Sequence, residues 1–468
     1  MSLAMYLDLL PAPTWLDPGH TAWQLVAGTL VGLMSVPGLA ILYSGLMKRK
    51  WALNSALMVL YAFGATLVVW TLWGYQMSFG TQLTNVLHFV GIPGTVLSPG
   101  SLEGQAVIPL LNGAIPTLRF PLSALVYFQF VFAAITVILL LGSILGRFSF
   151  KAWMLFVPVW ITVVYSVNAF SLWGGGWLGV MPSWLSGIAG AGAVDYSGGY
   201  VIHVAAGISG VVAAAVVGPR LLVDREHNRP SNVIAAITGG GLLWLGWNGF
   251  NGGDPYFAGA DASAAVLNTN LAAATAMLVW MFLDVFILGR PTVGGMVNGM
   301  IAGLVAITPA AGYVDGYGAL AIGIAAGAIP FFSFNYLVRI KPFSLIDDTL
   351  GVMHTHLIAG AVGGLMVGLL ADPNVIVYPG TGKTASVSVA GLFFGNPKQF
   401  IAQIIGLVFI LLWDGIMTFV ILKVISLFIP LRLTPAQLED GDEAIHGDVA
   451  YELMPQPPAA RPAEVVVA

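Results

Sequence analysis

The sequence predicts an all-α polytopic membrane protein, and three observations support that prediction. Of its 468 residues, 58% are hydrophobic and only 8% are charged, whereas soluble domains carry about 25% charged residues. Apolar stretches long enough for an α-helix to cross a bilayer recur along the whole chain. Glycine is abundant, at 58 residues, and small residues let helices approach one another closely in lipid. A bundle of helices facing the lipid bilayer satisfies all three observations.

Eleven apolar segments are long enough to be transmembrane helices. In chain order they cover residues 22–46, 52–78, 120–145, 152–173, 196–218, 231–251, 262–288, 293–309, 316–337, 350–370 and 400–428. An odd number of spans places the two chain ends on opposite sides of the membrane. Residues 1–21 contain no lysine or arginine, so they lack the positive segment of a secretory signal peptide and we expect the first span to be retained.

Positively charged residues predict which side each loop occupies, because short cytoplasmic loops are enriched in lysine and arginine. With the N-terminus outside, fourteen of these residues fall in inside segments and only Arg119, Lys383 and Lys398 fall outside. The asymmetry predicts an N-out, C-in topology. It divides the chain into an outer N-terminal segment, a first repeat, a second repeat, an outer loop with span eleven, and a cytoplasmic tail. Their bounds are 1–21, 22–218, 219–370, 371–428 and 429–468.

The two proposed repeats share one pattern of residues. DYSGGYVIHVAAGISG at 195–210 and DTLGVMHTHLIAGAVG at 348–363 both read D-x7-H-x2-A-G-x2-G. The copies lie in spans five and ten and so run in opposite directions, which is the form of a five-plus-five inverted repeat with one long helix appended. Transporters built this way bind their substrate near the midplane, between the halves. Chance agreement within Ala/Gly-rich helices is the alternative.

Ionisable residues inside a membrane are costly and mark functional sites by default. His203, His354 and His356 all fall in predicted spans. His354 and His356 are about 200° apart around a helix, so they cannot face the same axis. The repeat pairs His356 with His203, and His354 then faces a neighbouring helix or subunit. The alternative for each histidine is a simple hydrogen bond to a neighbouring helix.

Several functions are disfavoured by the composition. The chain has no cysteine, which excludes disulfides, iron–sulfur clusters and thiol catalysis. Apart from the His/Asp pairs, no nucleophile–base or metal-ligand pattern is present, so we expect no enzymatic activity, no metal, no cofactor and no nucleic-acid partner. The tail at 429–468 is too short for an output domain.

Eight ordered motifs resemble the ammonium transporter (Amt/Mep/Rh) family, in particular its bacterial Amt branch, over residues 22 to 452. They are SVPGLAILYSGLMKRK (35–50), FQFVFAAIT (128–136), WGGG (173–176), DYSGGYVIH (195–203), GWNGFNGG (246–253), ITPAAGYV (307–314), DDTLGVMHTH (347–356) and HGDVAYEL (446–453). Any one of them is a weak signal, whereas the ordered set is specific.

The resemblance implies a homotrimer in the cell inner membrane, with a pore through each subunit that recruits ammonium from outside. By matched position, Phe132 and Trp173 belong to the outer recruitment site, and Phe132 and Phe250 stack as a gate below it. His203 and His356 then form a pair of histidines that lines the pore.

Further matched residues surround this path. Asp195 matches the aspartate that the family needs for transport, as a deprotonating or a structural group. Four more residues match positions around the conduction path, namely Phe128, Gln129, Tyr165 and Trp247. The acidic segment at 439–452 resembles the cytoplasmic segment through which members communicate between subunits and with PII-type signalling proteins.

Physical chemistry makes this path reasonable. An aromatic face attracts a cation by about 0.5–2 kcal/mol, and an intact ion at the bilayer centre costs at least about 2.5–3.5 kcal/mol. Ammonium can avoid that cost by losing a proton and crossing as ammonia. Two adjacent imidazoles can share one proton and offer a donor and an acceptor to ammonia. Asp195 precedes its helix and can accept backbone N–H bonds as an N-cap.

The chain departs from the family pattern at three positions. Asp254 stands where many members carry a serine of the outer site, and we expect its carboxylate to strengthen cation attraction there. The alternative is that Asp254, followed by Pro255, only shapes a turn. Tyr200 and Leu357 replace smaller residues, which predicts a narrower or differently shaped pore near the histidines.

Two other functions stay open. The first is a sensor that binds ammonium with little or no conduction, although such members usually carry a fused signalling domain. The second is a channel for another small neutral molecule, which the aromatic entrance residues Phe132 and Trp173 disfavour.

Overall fold

The computed structural model describes residues 13–83, 88–107, 118–179, 183–226, 229–377 and 388–451. The first half of the predicted N-terminal segment, the end of the predicted tail, and Lys383 in the predicted outer loop lie outside the described residues. Within these ranges the chain is helical, and its only β pairs are isolated bridges. The predicted all-α class is therefore confirmed.

Ten helices in the described ranges are long and apolar enough to cross a membrane. They are α1 (Pro18–Leu46), α2 (Arg49–Phe79), α3 (Leu122–Leu141), α4 (Phe150–Leu172), α5 (Gly199–Val217), α6 (Val233–Gly252), α7 (Ala260–Leu288), α9 (Gly316–Arg339), α10 (Met353–Leu370) and α11 (Pro397–Ser426). The eighth predicted span corresponds to a shorter apolar helix of 15 residues, α8 (Val293–Ile307). The count of eleven spans stays a prediction, because α8 is shorter than a bilayer-crossing helix.

Polar side chains set the starts of several helices by capping their free N–H groups. The Asp17 carboxylate accepts from His20 N at 3.0 Å, one residue before Pro18 opens α1. Asn232, Thr292 and Asp315 cap α6, α8 and α9 in the same way, each accepting from the backbone N–H three residues on. The sequence thus places a polar capping side chain at the start of each of these four helices.

The helices differ in how much of their surface the protein covers. In α3, 94% of the most apolar 18-residue window is buried, whereas the corresponding share is 28% in α7 and in α11. A helix that is apolar all round and buried lies in the interior of the bundle. Helix α3 is therefore central. In α7 and α11 most apolar side chains are not covered by this chain and must face lipid or another subunit.

One end of the bundle gathers the predicted inside residues. The Arg220 guanidinium forms a bidentate pair with Asp347, with an Nη2–Oδ1 distance of 2.8 Å. Lys48 lies 2.8 Å from the Asp224 carboxylate. Burial tends to raise the pKa of Asp347, but the hydrogen bonds and charge of Arg220 outweigh it and hold that pKa at about 2. The predicted topology brings these segments to one side, while the N-out orientation itself stays a prediction.

The two repeat motifs have the same local geometry. Helices α5 and α10 both begin with a six-residue π-helical turn, Gly199–Val204 and Met353–Ile358. Asp195 Oδ2 accepts from Tyr200 N at 2.9 Å, and Asp348 Oδ2 accepts from Met353 N at 2.7 Å. Each aspartate thus caps the N–H five residues ahead of it, and such π-turns are frequent at functional sites.

The contact between the two copies is reciprocal. A Cβ built on Gly207 of α5 would lie 2.5 Å from Leu357 N on α10. A Cβ built on Gly360 of α10 would lie 3.2 Å from Val204 Cγ2 on α5. Gly207 and Gly360 are equivalent in the repeat, and so are Val204 and Leu357. An internal two-fold pseudosymmetry produces this exchange of partners.

The described part of the tail packs against its own chain. The helix Asp442–His446 places the Asp442 carboxylate at the start of α2, where it accepts from Leu53 N at 2.8 Å and Asn54 N at 2.9 Å. Lys50 Nζ donates to Leu438 O at 2.8 Å. The tail therefore acts as a cap for a membrane-length helix.

The Gly207 contact is testable because a side chain there would meet backbone atoms of Leu357, which cannot move aside as a flexible side chain could. We expect Gly207→Ala to lower the unfolding temperature, since overpacking costs about 1–3 kcal/mol. Gly64 of α2 has no heavy atom within 4 Å of a built Cβ, so Gly64→Ala is the matched control and should be neutral or slightly stabilising. Thermal unfolding of the purified protein in detergent measures both. Equal unfolding temperatures for the two variants would contradict the close-contact account.

Candidate functional site

Five rings form a continuous column through the bundle. Trp173 meets Phe132 edge-on at 6.4 Å between ring centroids, and Phe132 stacks on Phe250 at 4.4 Å. Phe250 stacks on His203 at 5.9 Å, and His203 stacks on His356 at 5.4 Å. The predicted recruitment, gate and histidine residues are therefore contiguous in space, although five different helices or their ends supply them.

The column is sealed from solvent below its outermost ring. Trp173 is 8% exposed, while Phe132, Phe250 and His203 are 0% exposed and His356 is 5% exposed. Trp173 Nε1 donates to Asp195 O at 2.7 Å, so this ring is fixed to the loop before α5. A protein contact of this kind holds Trp173 over the column, whereas an interfacial tryptophan would turn its N–H to headgroups.

The two histidines contact each other directly. Their Nδ1 atoms are 3.3 Å apart, so one imidazole donates its Nδ1–H and the other accepts. The donor then presents a bare Nε2 as acceptor, and its partner presents Nε2–H as donor. His203 Nε2 is buried and has no hydrogen-bond partner among the described residues. The pair thus offers one unused polar atom to a small molecule in otherwise apolar surroundings.

Trp247 fixes the orientation of His203. Its ring stacks on the imidazole at 5.3 Å with planes 20° apart, and its Nε1 donates to Thr308 Oγ1 at 2.8 Å. The hydroxyl of Thr308 in turn donates to Leu304 O at 2.7 Å. Thr308 therefore positions Trp247, the ring that stacks on His203. The sequence did not indicate this role, because the motif ITPAAGYV suggests no chemistry.

Asp195 uses both of its carboxylate oxygens on the backbone. Oδ1 accepts from Gly198 N at 3.2 Å, and Oδ2 accepts from Tyr200 N and Val201 N at 2.9 and 3.0 Å. Burial raises the pKa of Asp195 to about 6, although these backbone N–H groups lower it. The predicted capping role is present in the structure, and the carboxylate fixes the turn that carries His203.

Asp254 lies in a cluster of tyrosines beside the column. Its carboxyl interacts with the hydroxyls of Ser197 and Tyr256, and it is 9% exposed. Burial raises the pKa of Asp254 well above its ordinary value, and the negative charge of Asp195 raises it further. Tyr256 was not predicted, but its place directly after Asp254-Pro255 is the signal that could have identified it.

The other predicted path residues occupy the same region. Phe128 packs on Phe132 at 4.7 Å and meets Tyr256 edge-on at 6.2 Å. Gln129 Nε2 donates to Tyr256 Oη at 2.9 Å. Tyr165 is fully buried, and its hydroxyl has no hydrogen-bond partner in the described part of the chain. These contacts extend the outer end of the column sideways towards Asp254.

Three further residues that the sequence singled out lie outside the column. His354 Nδ1 is 2.6 Å from Ser333 Oγ, so it faces α9 as predicted. Tyr200 donates to Gln403 O at 3.0 Å and packs against glycines of α10 and α11. Leu357 packs on Gly207. The larger side chains of Tyr200 and Leu357 therefore fill contacts between helices. No ring contact among the described residues supports the expected narrowing of the pore by them.

In the described ranges, no group of three or more His, Cys, Asp or Glu side chains is placed to hold a metal ion. The chemistry available here is aromatic contact with a cation, hydrogen bonding by imidazole, and proton transfer to a carboxylate. Fold and site together define the class: a polytopic helical membrane protein whose two halves meet at a buried aromatic and histidine column.

The chain belongs to the Ammonium Transporter Family, whose model matches residues 22–451. "Ammonium transporter 2" of Arabidopsis thaliana is 49% identical over 451 residues, which cover 95% of this chain and 90% of that protein. "Ammonium transporter 2 member 1" of Oryza sativa subsp. japonica is 49% identical over 454 residues, covering 96% and 90%.

A solved structure is similar as well. The crystal structure of Saccharomyces cerevisiae Mep2 superposes with a TM-score of 0.76 at 31% identity, covering 90% of this chain and 89% of that chain. The family prediction is confirmed. These relatives come from plants and yeast, so the bacterial branch and the inner-membrane location stay predictions.

The Asp195 contacts predict graded effects of substitution. Asp195→Ala leaves three backbone N–H groups without their acceptor, and each buried unsatisfied group costs about 1–3 kcal/mol. Asp195→Asn keeps one oxygen acceptor but loses the charge. We expect the unfolding temperature to fall in the order wild type, Asp195→Asn, Asp195→Ala. An unchanged unfolding temperature for Asp195→Ala would show that the carboxylate does not stabilise the turn.

Proposed function

We propose that the protein is an ammonium transporter that recruits the ammonium ion outside, removes a proton and conducts ammonia. The single observation that supports it most directly is the column from Trp173 through Phe132 and Phe250 to the His203–His356 pair. A cation is attracted at the outer rings, while the sealed part of the column favours a small neutral molecule.

Recruitment takes place at Trp173 and Phe132, whose ring faces attract a cation by about 0.5–2 kcal/mol. Asp254 adds a carboxylate next to this site, which replaces a neutral side chain by one that attracts cations. The alternative reading of Asp254 as a turn residue is weakened by its contacts with Ser197 and Tyr256, because a turn requires neither.

The gate consists of Phe132 and Phe250, whose rings lie 4.4 Å apart with planes 31° apart. Two rings at that separation leave no room for a hydrated ion. Potassium and sodium cannot become neutral, whereas ammonium can release a proton and continue as ammonia. Selection by deprotonation therefore adds to selection by size, and the proton moves separately from the ammonia.

The histidine pair gives ammonia its polar contacts below the gate. The unused Nε2 of His203 accepts a hydrogen bond from ammonia or donates one to it, depending on the tautomer, so ammonia finds a polar partner below the gate. Double protonation of the pair is opposed by charge repulsion at this distance. A neutral pair thus favours ammonia over any cation.

In this proposal Asp195 has a structural role, because it holds the turn at the start of α5. Its two oxygens accept three backbone N–H bonds, which supports the structural side of its predicted role. Its charge also contributes a negative potential below Trp173, to which its backbone oxygen is bonded.

The assembly that we propose is a homotrimer in a lipid bilayer, with one column in each subunit. Many large apolar side chains are exposed on the single chain, Phe286 of α7 at 80% and Ile234 of α6 at 71% among them. Lipid or neighbouring subunits must cover them, because monomeric soluble proteins rarely expose large apolar patches.

Transport by this route is tested with ammonium pulses on liposomes that contain the purified protein. We expect ammonium-specific currents, with potassium and sodium giving none. His203→Ala and His356→Ala should each abolish the current, because the column loses the atoms that bond ammonia. His354→Ala is the matched control, since that histidine contacts Ser333 instead, and it should conduct.

Other results would favour the other functions. Ammonium binding with no current would indicate a sensor, and currents of equal size with potassium would end the deprotonation account. Uptake of a neutral solute without any ammonium response would indicate a channel for another small molecule.

Regulation is proposed to act through the cytoplasmic tail, with a PII-type protein as partner. The tail caps α2 through Asp442, so a partner that pulls the tail away would also change the start of a membrane helix. Such a link connects cytoplasmic binding to the bundle.

The tail contact is tested by limited trypsin digestion. We expect Asp442→Ala to speed cleavage after Arg432, because two backbone N–H groups of α2 lose their acceptor. Asp440→Ala is the control, since this residue is an exposed neighbour on the same tail. Equal digestion rates for both variants would argue against docking through Asp442.

A further inference from the structure

Two carboxylates lie near the outer end of the column, and their oxygens differ in what they contact. Both oxygens of Asp195 accept backbone N–H bonds. Asp254 Oδ2 is buried and has no hydrogen-bond partner among the described residues. A buried, unpartnered carboxylate oxygen is costly in folding, and such atoms mark functional sites when they persist.

Ser197 connects Asp254 to the gate. The Ser197 hydroxyl interacts with the Asp254 carboxyl, and it lies 2.9 Å from Phe250 O, to which it donates. Ser197 also follows Asp195 by two residues. Asp254 is therefore connected through one hydroxyl to the main chain of the gate residue Phe250.

Tyr256 is the second residue whose hydroxyl interacts with the Asp254 carboxyl. Gln129 Nε2 donates to Tyr256 Oη at 2.9 Å, which leaves the Tyr256 O–H free to donate to Asp254. Among the described residues, Tyr256 is the one non-glycine residue with positive φ, at 63°. Strained backbone of this kind persists where the surroundings hold it, often at functional sites. The residue with this backbone conformation is the one whose hydroxyl interacts with Asp254.

Further polar atoms surround the same carboxyl. Tyr165, Tyr196 and Tyr313 are close enough to Asp254 to feel its charge. The buried hydroxyls of Tyr165 and Tyr196 and the buried Gln129 Oε1 have no hydrogen-bond partner in the described ranges. An unpartnered carboxylate oxygen in the same region as these unused hydroxyl and amide oxygens suits a small, multivalent hydrogen-bond donor such as ammonium.

We propose that Asp254 takes the proton from ammonium, and that Asp195 is a positioning residue. The proposal deepens the ammonium transport proposed above and rests on it. In the step, one N–H bond of ammonium breaks, its electron pair stays on nitrogen, and an O–H bond forms on Asp254 Oδ2. The products are ammonia and a neutral Asp254 carboxyl; the carboxyl then gives this proton to water, which carries it inward separately from the ammonia, and the carboxylate is restored.

Asp195 is the less suitable acceptor because of its bonds. A proton on either of its oxygens would turn that acceptor into an O–H donor facing backbone N–H groups that also donate, and the cap of α5 would be lost. Asp254 can take a proton on Oδ2 without losing a described hydrogen bond. Its raised pKa also brings it closer to that of an ammonium group, about 10.4 for lysine, which reduces the cost of the transfer.

The experiment measures current against ammonium concentration for Asp254→Asn and Asp254→Ser in the same liposomes. General acid–base catalysis contributes about 100-fold to 10,000-fold, so we expect the maximal current of both variants to fall at least about 100-fold. Ammonium binding, followed by tryptophan fluorescence of the purified proteins, should persist. Asp261→Asn is the control, because it removes a carboxylate near Tyr196 and leaves the Asp254 carboxyl in place, and its maximal current should stay.

The outcomes separate this proposal from the one it rests on. No ammonium current from the wild type ends the transport proposal, and this one with it. With a conducting wild type, retained maximal current in Asp254→Asn or Asp254→Ser overturns the role as acceptor, whether or not the half-saturating concentration rises. A rise in that concentration alone would leave Asp254 as a recruitment residue only. Two variants are used so that misfolding of one does not decide the result.

Discussion

The contact between α5 and α10 is the constraint on which the rest of the structure depends. At Gly207 and Gly360 the two helices approach so closely that the backbone of one meets the glycine of the other. In lipid, apolar side chains gain little by association, and close backbone packing at small residues supplies much of the attraction between helices. This approach brings two histidines from distant parts of the chain to 3.3 Å. A side chain at Gly207 would push against Leu357, one residue from His356.

Electrostatics then divides the site along its length. The outer end gathers the carboxyls of Asp195 and Asp254 with tyrosine hydroxyls, whereas the inner part is formed by rings and neutral imidazoles. A cation is therefore favoured at one end and disfavoured in the other. The two aspartates are not equivalent, because Asp195 is bonded to the main chain through both oxygens and Asp254 has an oxygen with no hydrogen-bond partner among the described residues. In the mechanism that we propose, the gate separates these two environments, and ammonium changes its protonation state to pass.

The predicted recruitment, gate and histidine residues lie next to one another because the repeat and the motifs both carry information on contacts. His203 and His356 could be paired from the sequence, since an inverted repeat must bring equivalent positions to the same axis. The capping role of Asp195 followed from its position before α5. Ser197 and Thr308 could not be predicted, because they act through Phe250 O and Trp247, which are distant in the chain, whereas Tyr256 lies two residues after Asp254 and could have been identified by that position. Tyr200 was expected to change the shape of the pore, because it replaces a smaller residue. Its hydroxyl instead donates to Gln403 O on α11, and only the packing of α11 determines that contact.

By itself the sequence determined the class of fold, the helix positions, the repeat and the identity of the column residues. Hydrophobicity, capping and motif order are local properties, and they depend on the covalent chain alone. Only the tertiary structure decided which carboxylate oxygens are occupied, which histidine faces α9 and how the tail caps α2. Those facts depend on distances between segments up to hundreds of residues apart. Such distances are set by close packing at glycines and by the need to satisfy each buried polar group.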